Sequence, residues 1–182
     1  MYFNFLKLRW ISGGLLALFL AVAPAEAVGI DGIGLKVGMD LGRQQTLGFG
    51  GTIGGEFDQV RLALGAYTDL GSAFSERFHW VSGADLVLTD NLRTYSMNWE
   101  GWYFFGHAEG TRWYAGAGPG IHILQSNETG KDVKVTVNVP LGFQKRMGKG
   151  AAWFGEMKIM IADNEADSSL RFSLGVNFGG GP

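Results

Sequence analysis

Apolar and polar residues alternate along most of this chain. The clearest run is 133–146, where four valines, Leu141 and Phe143 occupy the odd positions and Lys134, Thr136 and Arg146 are among the even ones. Successive side chains of a β-strand point to opposite faces, so this alternation predicts a strand with one apolar and one polar face. Residues 170–178 repeat the pattern, with Leu, Phe and Val on one face and Arg, Ser, Gly and Asn on the other.

The same criterion yields nine candidate strands: 33–41, 47–57, 60–70, 78–88, 96–105, 112–123, 133–146, 153–161 and 170–178. Helical spacing of apolar residues is not sustained anywhere between them, which predicts an all-β protein. Strands in close succession, joined by short polar segments, predict a closed antiparallel up-and-down barrel. Bacterial single-chain membrane barrels have an even number of strands, so we expect eight, with ten as the alternative.

The first 27 residues have a different character. Lys7 and Arg9 precede an apolar run at 11–23, which is followed by Pro24 and a small-Glu-small triplet at 25–27. This order predicts a secretory signal peptide cleaved after residue 27. The run is shorter than the about 20 apolar residues of a transmembrane helix. We therefore expect a signal peptide at 1–27, one barrel domain over 28–179 and a Gly/Pro tail at 180–182.

Composition narrows the choice of function. Without the predicted signal peptide, 13 basic and 16 acidic residues give a formal charge of −3, which does not indicate a nucleic-acid partner. The chain has no cysteine and therefore no thiolate metal site. Its 30 glycines and 18% of charged residues depart from a typical soluble domain, where about 25% are charged. Glycines opposite long charged side chains fit the narrow interior of a small barrel.

Alternation by itself does not say which face of the sheet points inward. Glycine-rich polar faces and aromatic residues near strand ends favour a membrane barrel, whose apolar face contacts lipid. The alternative is a soluble barrel with an apolar, ligand-binding interior. The membrane interpretation predicts a charge network inside the barrel, where an unpaired charge would be costly. Its expected members are Glu56, Arg61, Asp69, Asp85, Glu100, Arg112, Lys134, Glu156, Lys158 and Arg171.

The second half of the chain resembles the small outer-membrane barrels of the OmpA/OmpX type. The resemblance rests on the glycine-rich YAGAGPGI at 114–121, VPLGFQKR at 139–146, WFGEMK at 153–158 and RFSLGVNF at 171–178. It implies an eight-stranded barrel in the outer membrane of a Gram-negative cell, in contact with lipid and lipopolysaccharide and inserted by the barrel-assembly machinery. Members of this family commonly end on an aromatic residue that the machinery reads, whereas Phe178 is followed here by Gly-Gly-Gly-Pro.

The sequence contains no recognisable catalytic, cofactor-binding or metal-binding set. His79 and His122 have polar-face parity and are expected to point into the barrel, away from a lipid substrate, while His107 lies in a predicted turn. We therefore predict a non-enzymatic outer-membrane protein without a cofactor, with a structural or surface-interaction role. A small-solute pore, a lipid-modifying barrel enzyme and a soluble exported ligand-binding barrel remain alternatives. The loops at 71–76, 126–132 and 163–169 are expected to face outward.

Overall fold

The protein is a closed eight-stranded barrel. The computed structural model describes residues 29–42, 59–88, 92–126, 130–148, 150–162 and 168–179. The strands are β1 (Gly32–Gly42), β2 (Gln59–Ser75), β3 (Phe78–Leu88), β4 (Leu92–Ala108), β5 (Thr111–Ser126), β6 (Gly130–Gly148), β7 (Ala151–Ala162) and β8 (Ser169–Gly179). Each strand pairs antiparallel with the next, and β8 pairs with β1. The predicted all-β, up-and-down barrel with eight strands is confirmed.

The barrel closes without the ninth candidate strand. That candidate, 47–57, lies outside the described residues, as do the predicted signal peptide at 1–27 and the tail at 180–182. β1 pairs directly with β2 along its whole length, from Gly32 opposite Asp69 to Gly42 opposite Gln59. Within the described ranges, no helix is long and apolar enough to cross a membrane.

The apolar face of each strand forms the outside of the barrel. In β1, Leu35 and Met39 are each 55% exposed, whereas Lys36 and Asp40 between and beside them are buried. Apolar residues point outward in the other strands too. Exposed large apolar side chains come from β1, β2, β6 and β8, and exposed aromatic side chains come from β3, β4 and β5. The barrel is therefore apolar outside and polar inside, the reverse of a soluble barrel.

Glycines on the inner face make room for long polar side chains. A Cβ at Gly65 would overlap the carboxylate of Asp85 and lie 2.8 Å from Cε of Lys36. A Cβ at Gly34 would likewise overlap the ring of Tyr67. The glycine content noted in the sequence thus has a packing reason inside this narrow barrel.

The two ends of the barrel differ in the length of their connections. At the end that carries residue 29 and residue 179, here the terminal end, the connections are the two-residue segments 76–77, 109–110 and 149–150. At the opposite end, here the loop end, the connections are residues 43–58, 89–91, 127–129 and 163–168. The two longest connections, 43–58 and 163–168, are thus both at the loop end. Two-residue turns at one end and the longest connections at the other are typical of outer-membrane barrels.

The expectation that 71–76 faces the same side as 126–132 and 163–169 is wrong. β2 continues to Ser75, and its turn into β3 lies at the terminal end, opposite the other two segments. Gly71 interrupts the alternation because it sits at a bulge, with a φ of +87° and a register shift between Asp69 and Ser72. A bulge inserts an extra residue into a strand. The strand continues, but its apolar–polar alternation is interrupted, and the sequence pattern therefore predicted that it ends there. His107 similarly lies in β4, and the turn itself is Glu109–Gly110.

Candidate functional site

The barrel interior holds a continuous chain of charged side chains, here called the ion chain. Four cations alternate with four anions, each within ion-pair distance of the next. In order from the loop end, the members are Arg61, Asp40, Arg171, Asp85, Lys36, Glu156, Lys158 and Glu100. Equal numbers of both signs make the chain neutral, which lowers the cost of burying so many charges.

The half of the ion chain nearer the loop end is built on arginine. Asp40 receives Arg61 Nη2 at 3.2 Å on Oδ1, and Arg171 Nε and Nη2 at 3.0 and 2.9 Å on Oδ2. The remaining nitrogen of this guanidinium, Nη1, lies 2.7 Å from Asp85 Oδ2. A planar guanidinium can contact two carboxylates in fixed directions, so Arg171 holds β1 and β3 to β8.

The other half is built on lysine. Lys36 Nζ lies 3.2 Å from Asp85 Oδ1 and 3.0 Å from Glu156 Oε1. Lys158 Nζ lies 3.7 Å from the same Glu156 oxygen and 2.7 Å from Glu100 Oε1. All four side chains are almost completely buried, with side-chain exposures of 4% or less. These pairs are therefore shielded from solvent, unlike surface ion pairs.

Neutral side chains complete the hydrogen bonding of the carboxylates. Tyr114 Oη donates to Glu156 Oε2 over 3.1 Å, Trp102 Nε1 donates to Glu100 Oε2 over 2.9 Å, and Asn98 Nδ2 donates to Asp85 Oδ2 over 2.9 Å. Asn138 continues this set by donating to Asn98 Oδ1 over 2.7 Å. Buried charges need such additional hydrogen bonds to offset their desolvation.

Several of these contacts cross the lumen. Lys158 on β7 and Glu100 on β4 belong to strands three positions apart in a ring of eight, and Arg171 on β8 and Asp85 on β3 have the same separation. Their contacts therefore join walls that are nearly opposite. Side chains that meet across the barrel at 2.7 Å occupy the path that a solute would follow.

A layer of aromatic rings, here called the ring layer, lies between the ion chain and the terminal end. Tyr67, Trp102, Tyr114 and Phe154 are 2% exposed or less, and Phe104 and Val81 complete the cluster. Trp102 and Tyr114 stack with centroids 4.2 Å apart, and Tyr67 meets Phe154 edge-on at 5.3 Å. Rings from β2, β4, β5 and β7 thus converge on the barrel axis.

The structure brings six of the ten predicted network residues into the ion chain. These are Arg61, Asp85, Glu100, Glu156, Lys158 and Arg171. The sequence interpretation missed Asp40, which joins Arg61 to Arg171, and Lys36, which connects the two halves. Both lie at inward positions of β1, where they alternate with Val37 and Met39. The sequence could have identified both residues, because they occupy polar-face positions of the predicted strand 33–41, and polar-face position was the criterion that identified the other members.

The remaining four predicted residues lie elsewhere. Asp69 contacts His79 near the terminal end, and Arg112 donates to Gln144 Oε1 while its guanidinium carbon lies 3.9 Å from the centroid of the Phe104 ring. Lys134 pairs with Asp132, whose side chain is 64% exposed, near the loop end. Glu56 lies outside the described residues. Inward parity therefore identified interior residues without showing at which depth they lie.

The arrangement is suited to holding the barrel together. Every member of the ion chain faces an opposite charge, so none presents a free acid, base or nucleophile. His79 and His122 are both buried in the interior, as their parity predicts. Neither faces the outer surface, where a lipid chain would lie.

The fold is similar to that of solved outer-membrane barrels. The N-terminal β-barrel domain of Pseudomonas aeruginosa OprF is 12% identical, with a TM-score of 0.58 over 82% of this chain and 98% of that one. Neisserial surface protein A is 9% identical, with a TM-score of 0.63 over 81% and 96%. Ail of Yersinia pestis, in complex with the heparin analogue sucrose octasulfate, is 11% identical, with a TM-score of 0.50 over 81% and 97%.

These similarities confirm, at the level of the fold, the resemblance to small eight-stranded outer-membrane barrels. At such low identity they carry no information about ligands or partners. No protein-family model matches the chain, and no curated protein matches it either.

Proposed function

We propose that this chain is a non-enzymatic outer-membrane β-barrel protein of the Gram-negative cell envelope, with a closed interior and a structural or surface-interaction role. The observation that carries the proposal is the inverted distribution of polarity. Leu174 on β8 is 62% exposed and Val135 on β6 is 61% exposed, while Arg171 and Glu100 inside are each 1% exposed. In water this arrangement would expose apolar surface on all sides of the barrel, whereas in a bilayer the same surface contacts lipid.

The placement of aromatic residues supports a membrane setting. Trp80, Tyr103, Phe105 and Trp113 lie near the terminal end with outer-face exposures between 41% and 49%. Amphipathic and aromatic rings prefer the boundary between hydrocarbon and head groups. The short turns at the terminal end would then face the periplasm, and the longer connections of the loop end would face outward. The expected surroundings are outer-membrane lipid and lipopolysaccharide, reached through the barrel-assembly machinery.

The filled interior argues against a small-solute pore. The cross-lumen ion pairs and the ring layer lie at successive depths, so a solute would have to displace both. It argues equally against a soluble ligand-binding barrel, because the interior is charged where an apolar ligand would need apolar contacts. The inward position of His79 and His122 disfavours a lipid-modifying enzyme.

The test begins with the full chain expressed in a Gram-negative host. We expect the protein in the outer-membrane fraction, with a gel mobility in detergent that changes only after boiling, because a closed barrel resists detergent until it is heated. A sample unfolded in urea before loading should run like the boiled one. Recovery from the soluble periplasm, with no change of mobility on heating, would contradict the membrane assignment.

Planar-bilayer recordings of the purified barrel then separate a closed barrel from a pore. We expect no steady conductance, because the ion chain crosses the lumen. Stable channel steps would assign the protein to the pores. Incubation with labelled lipopolysaccharide is a separate assay, and release of fatty acids in it would assign the protein to the enzymes.

A further inference from the structure

A second cluster of polar side chains lies at the terminal end, outside the ion chain. Asp31 immediately precedes β1, Asp69 lies on β2 and His79 lies on β3. His79 Nδ1 is 3.0 Å from both carboxylate oxygens of Asp69 and 4.0 Å from Asp31 Oδ2. One ligand atom from each residue lies within 4.8 Å of the other two. None of these three residues belongs to the ion chain or to the ring layer.

The β2 bulge and one backbone hydrogen bond position the two aspartates. Gly71, at a φ of +87°, turns its N–H back to donate to Asp69 Oδ1 over 3.0 Å. The backbone N–H of Asp31 donates to the Asp69 carbonyl over 2.9 Å, which holds the segment before β1 against β2. A glycine at a positive φ can adopt this conformation without strain. The bulge therefore orients the Asp69 carboxylate, and the separate backbone hydrogen bond keeps Asp31 beside Asp69.

A hydrogen bond at the second ring nitrogen, Nε2, orients the imidazole of His79. Nε2 lies 3.2 Å from the backbone carbonyl oxygen of Glu76, and a carbonyl oxygen can only accept a hydrogen bond. Nε2 therefore carries a hydrogen. In the metal-free protein Nδ1 also carries one, because it lies 3.0 Å from both carboxylate oxygens of Asp69, which can only accept, and a bound ion would take the place of that proton. A backbone carbonyl that accepts the second N–H is the usual support of a metal-bound histidine, because it fixes the tautomer and the ring direction.

We propose that Asp31, Asp69 and His79 bind a divalent transition-metal ion of the Zn²⁺ class. One imidazole nitrogen and two carboxylate oxygens form a donor set that suits Zn²⁺, whereas Ca²⁺ and Mg²⁺ prefer oxygen alone. Ligand atoms at about 2.0–2.2 Å from a tetrahedral ion lie about 3.3–3.6 Å apart. The Nδ1 to Asp69 distance of 3.0 Å is close to this value, and Asp31 needs the larger adjustment.

The surroundings of the cluster are compatible with a cation. The Asp31 side chain is 46% exposed, so it is free to adjust, and solvent can supply the fourth ligand. Arg112 acts electrostatically on both Asp69 and Asp31. With the imidazole of His79 neutral as a metal ligand, two carboxylates against one guanidinium carry a net charge of −1 before the charge of the ion is counted. The bound ion would link three elements at the terminal end: the segment that precedes β1, strand β2 and strand β3.

The experiment uses the full-length barrel without a histidine tag, refolded in detergent and freed of metal with a chelator. Zn²⁺ is titrated calorimetrically, and Co²⁺ serves as a spectroscopic probe of a tetrahedral site. We expect one ion per chain and the visible absorption of tetrahedral Co²⁺. Asp31→Asn should weaken Zn²⁺ binding at least tenfold, and His79→Gln should abolish it. Asp132→Asn, which removes an exposed carboxylate near the loop end, is the matched control and should leave the affinity unchanged.

The substitution of Asp31 keeps the test decisive even if the His79 variant does not fold, because Asp31 is half-exposed and precedes the first strand. No saturable Zn²⁺ binding by the wild-type barrel would overturn the proposal. Equal affinity of the wild-type, Asp31→Asn and His79→Gln proteins would also overturn it, since the ion would then bind elsewhere.

Discussion

At the scale of single residues, Lys36 has the most exacting position in the interior. It joins Asp85 on β3 to Glu156 on β7, and its own side chain is only 4% exposed. Without Lys36, Asp85 still has Arg171 and Glu156 still has Lys158. The buried ion chain then carries one negative charge in excess, and an uncompensated buried charge is strongly destabilising. Its removal affects both halves of the ion chain, because Asp85 belongs to the arginine half and Glu156 to the lysine half.

We expect Lys36→Met to lower the free energy of unfolding by about 3 kcal/mol. Methionine has a similar length, so the change removes the charge with little loss of volume. Urea unfolding of the barrel in lipid vesicles measures the effect. Lys131→Met, at an exposed position near the loop end, should change stability by at most about 0.5 kcal/mol. Equal effects of the two substitutions would show that the buried pairs do not contribute to stability.

At the scale of strands, alternation predicted the elements and the face of each residue. It placed Glu156 and Lys158 on the inner face of β7 and Arg171 on that of β8, and the structure agrees. It could not predict which inward residues meet, because partners across the lumen depend on register and on the tilt of the strands in the closed barrel. Lys158 and Glu100 lie 58 positions apart, and nothing in either strand indicates the other.

The outer face of the strands offers the sharpest test of lipid contact. Leu174 is the middle residue of β8 and is 62% exposed, whereas Val133 lies near the loop end of β6 and is 54% exposed. In a membrane barrel, arginine costs about 2–4 kcal/mol at mid-depth and about 0–1 kcal/mol near the interface. We therefore expect Leu174→Arg to be clearly destabilising in vesicles and Val133→Arg to be nearly neutral.

The two arginine variants also serve as each other's control, since both place the same side chain on an exposed apolar position. A soluble barrel would tolerate both, because exposed substitutions usually change stability by less than about 0.5 kcal/mol. Similar small effects at Leu174 and Val133 would therefore remove the case for a surrounding bilayer.

At the scale of the whole molecule, the interior is divided into layers along the barrel axis. The cluster of Asp31, Asp69 and His79 lies at the terminal end, the ring layer follows, and the ion chain extends from there toward the loop end. Sequence parity gathered residues of the ion chain and residues nearer the two ends of the barrel into one predicted network, because parity carries no information on depth. Asp69 and Arg112 were grouped with the ion chain for this reason, although they lie on the terminal side of the ring layer.

Because the layers are stacked, each should close the barrel independently. We expect the double variant Trp102→Ala and Tyr114→Ala, which removes the stacked pair of the ring layer, to fold with reduced stability but to remain without conductance in planar bilayers. The pairs Lys158 with Glu100 and Arg171 with Asp85 would still cross the lumen. Phe143→Ala, which removes an aromatic ring on the outer face, controls for the loss of ring volume. Steady channels in the double variant alone would mean that the ion chain does not seal the barrel without the ring layer, whose Trp102 and Tyr114 also donate hydrogen bonds to Glu100 and Glu156.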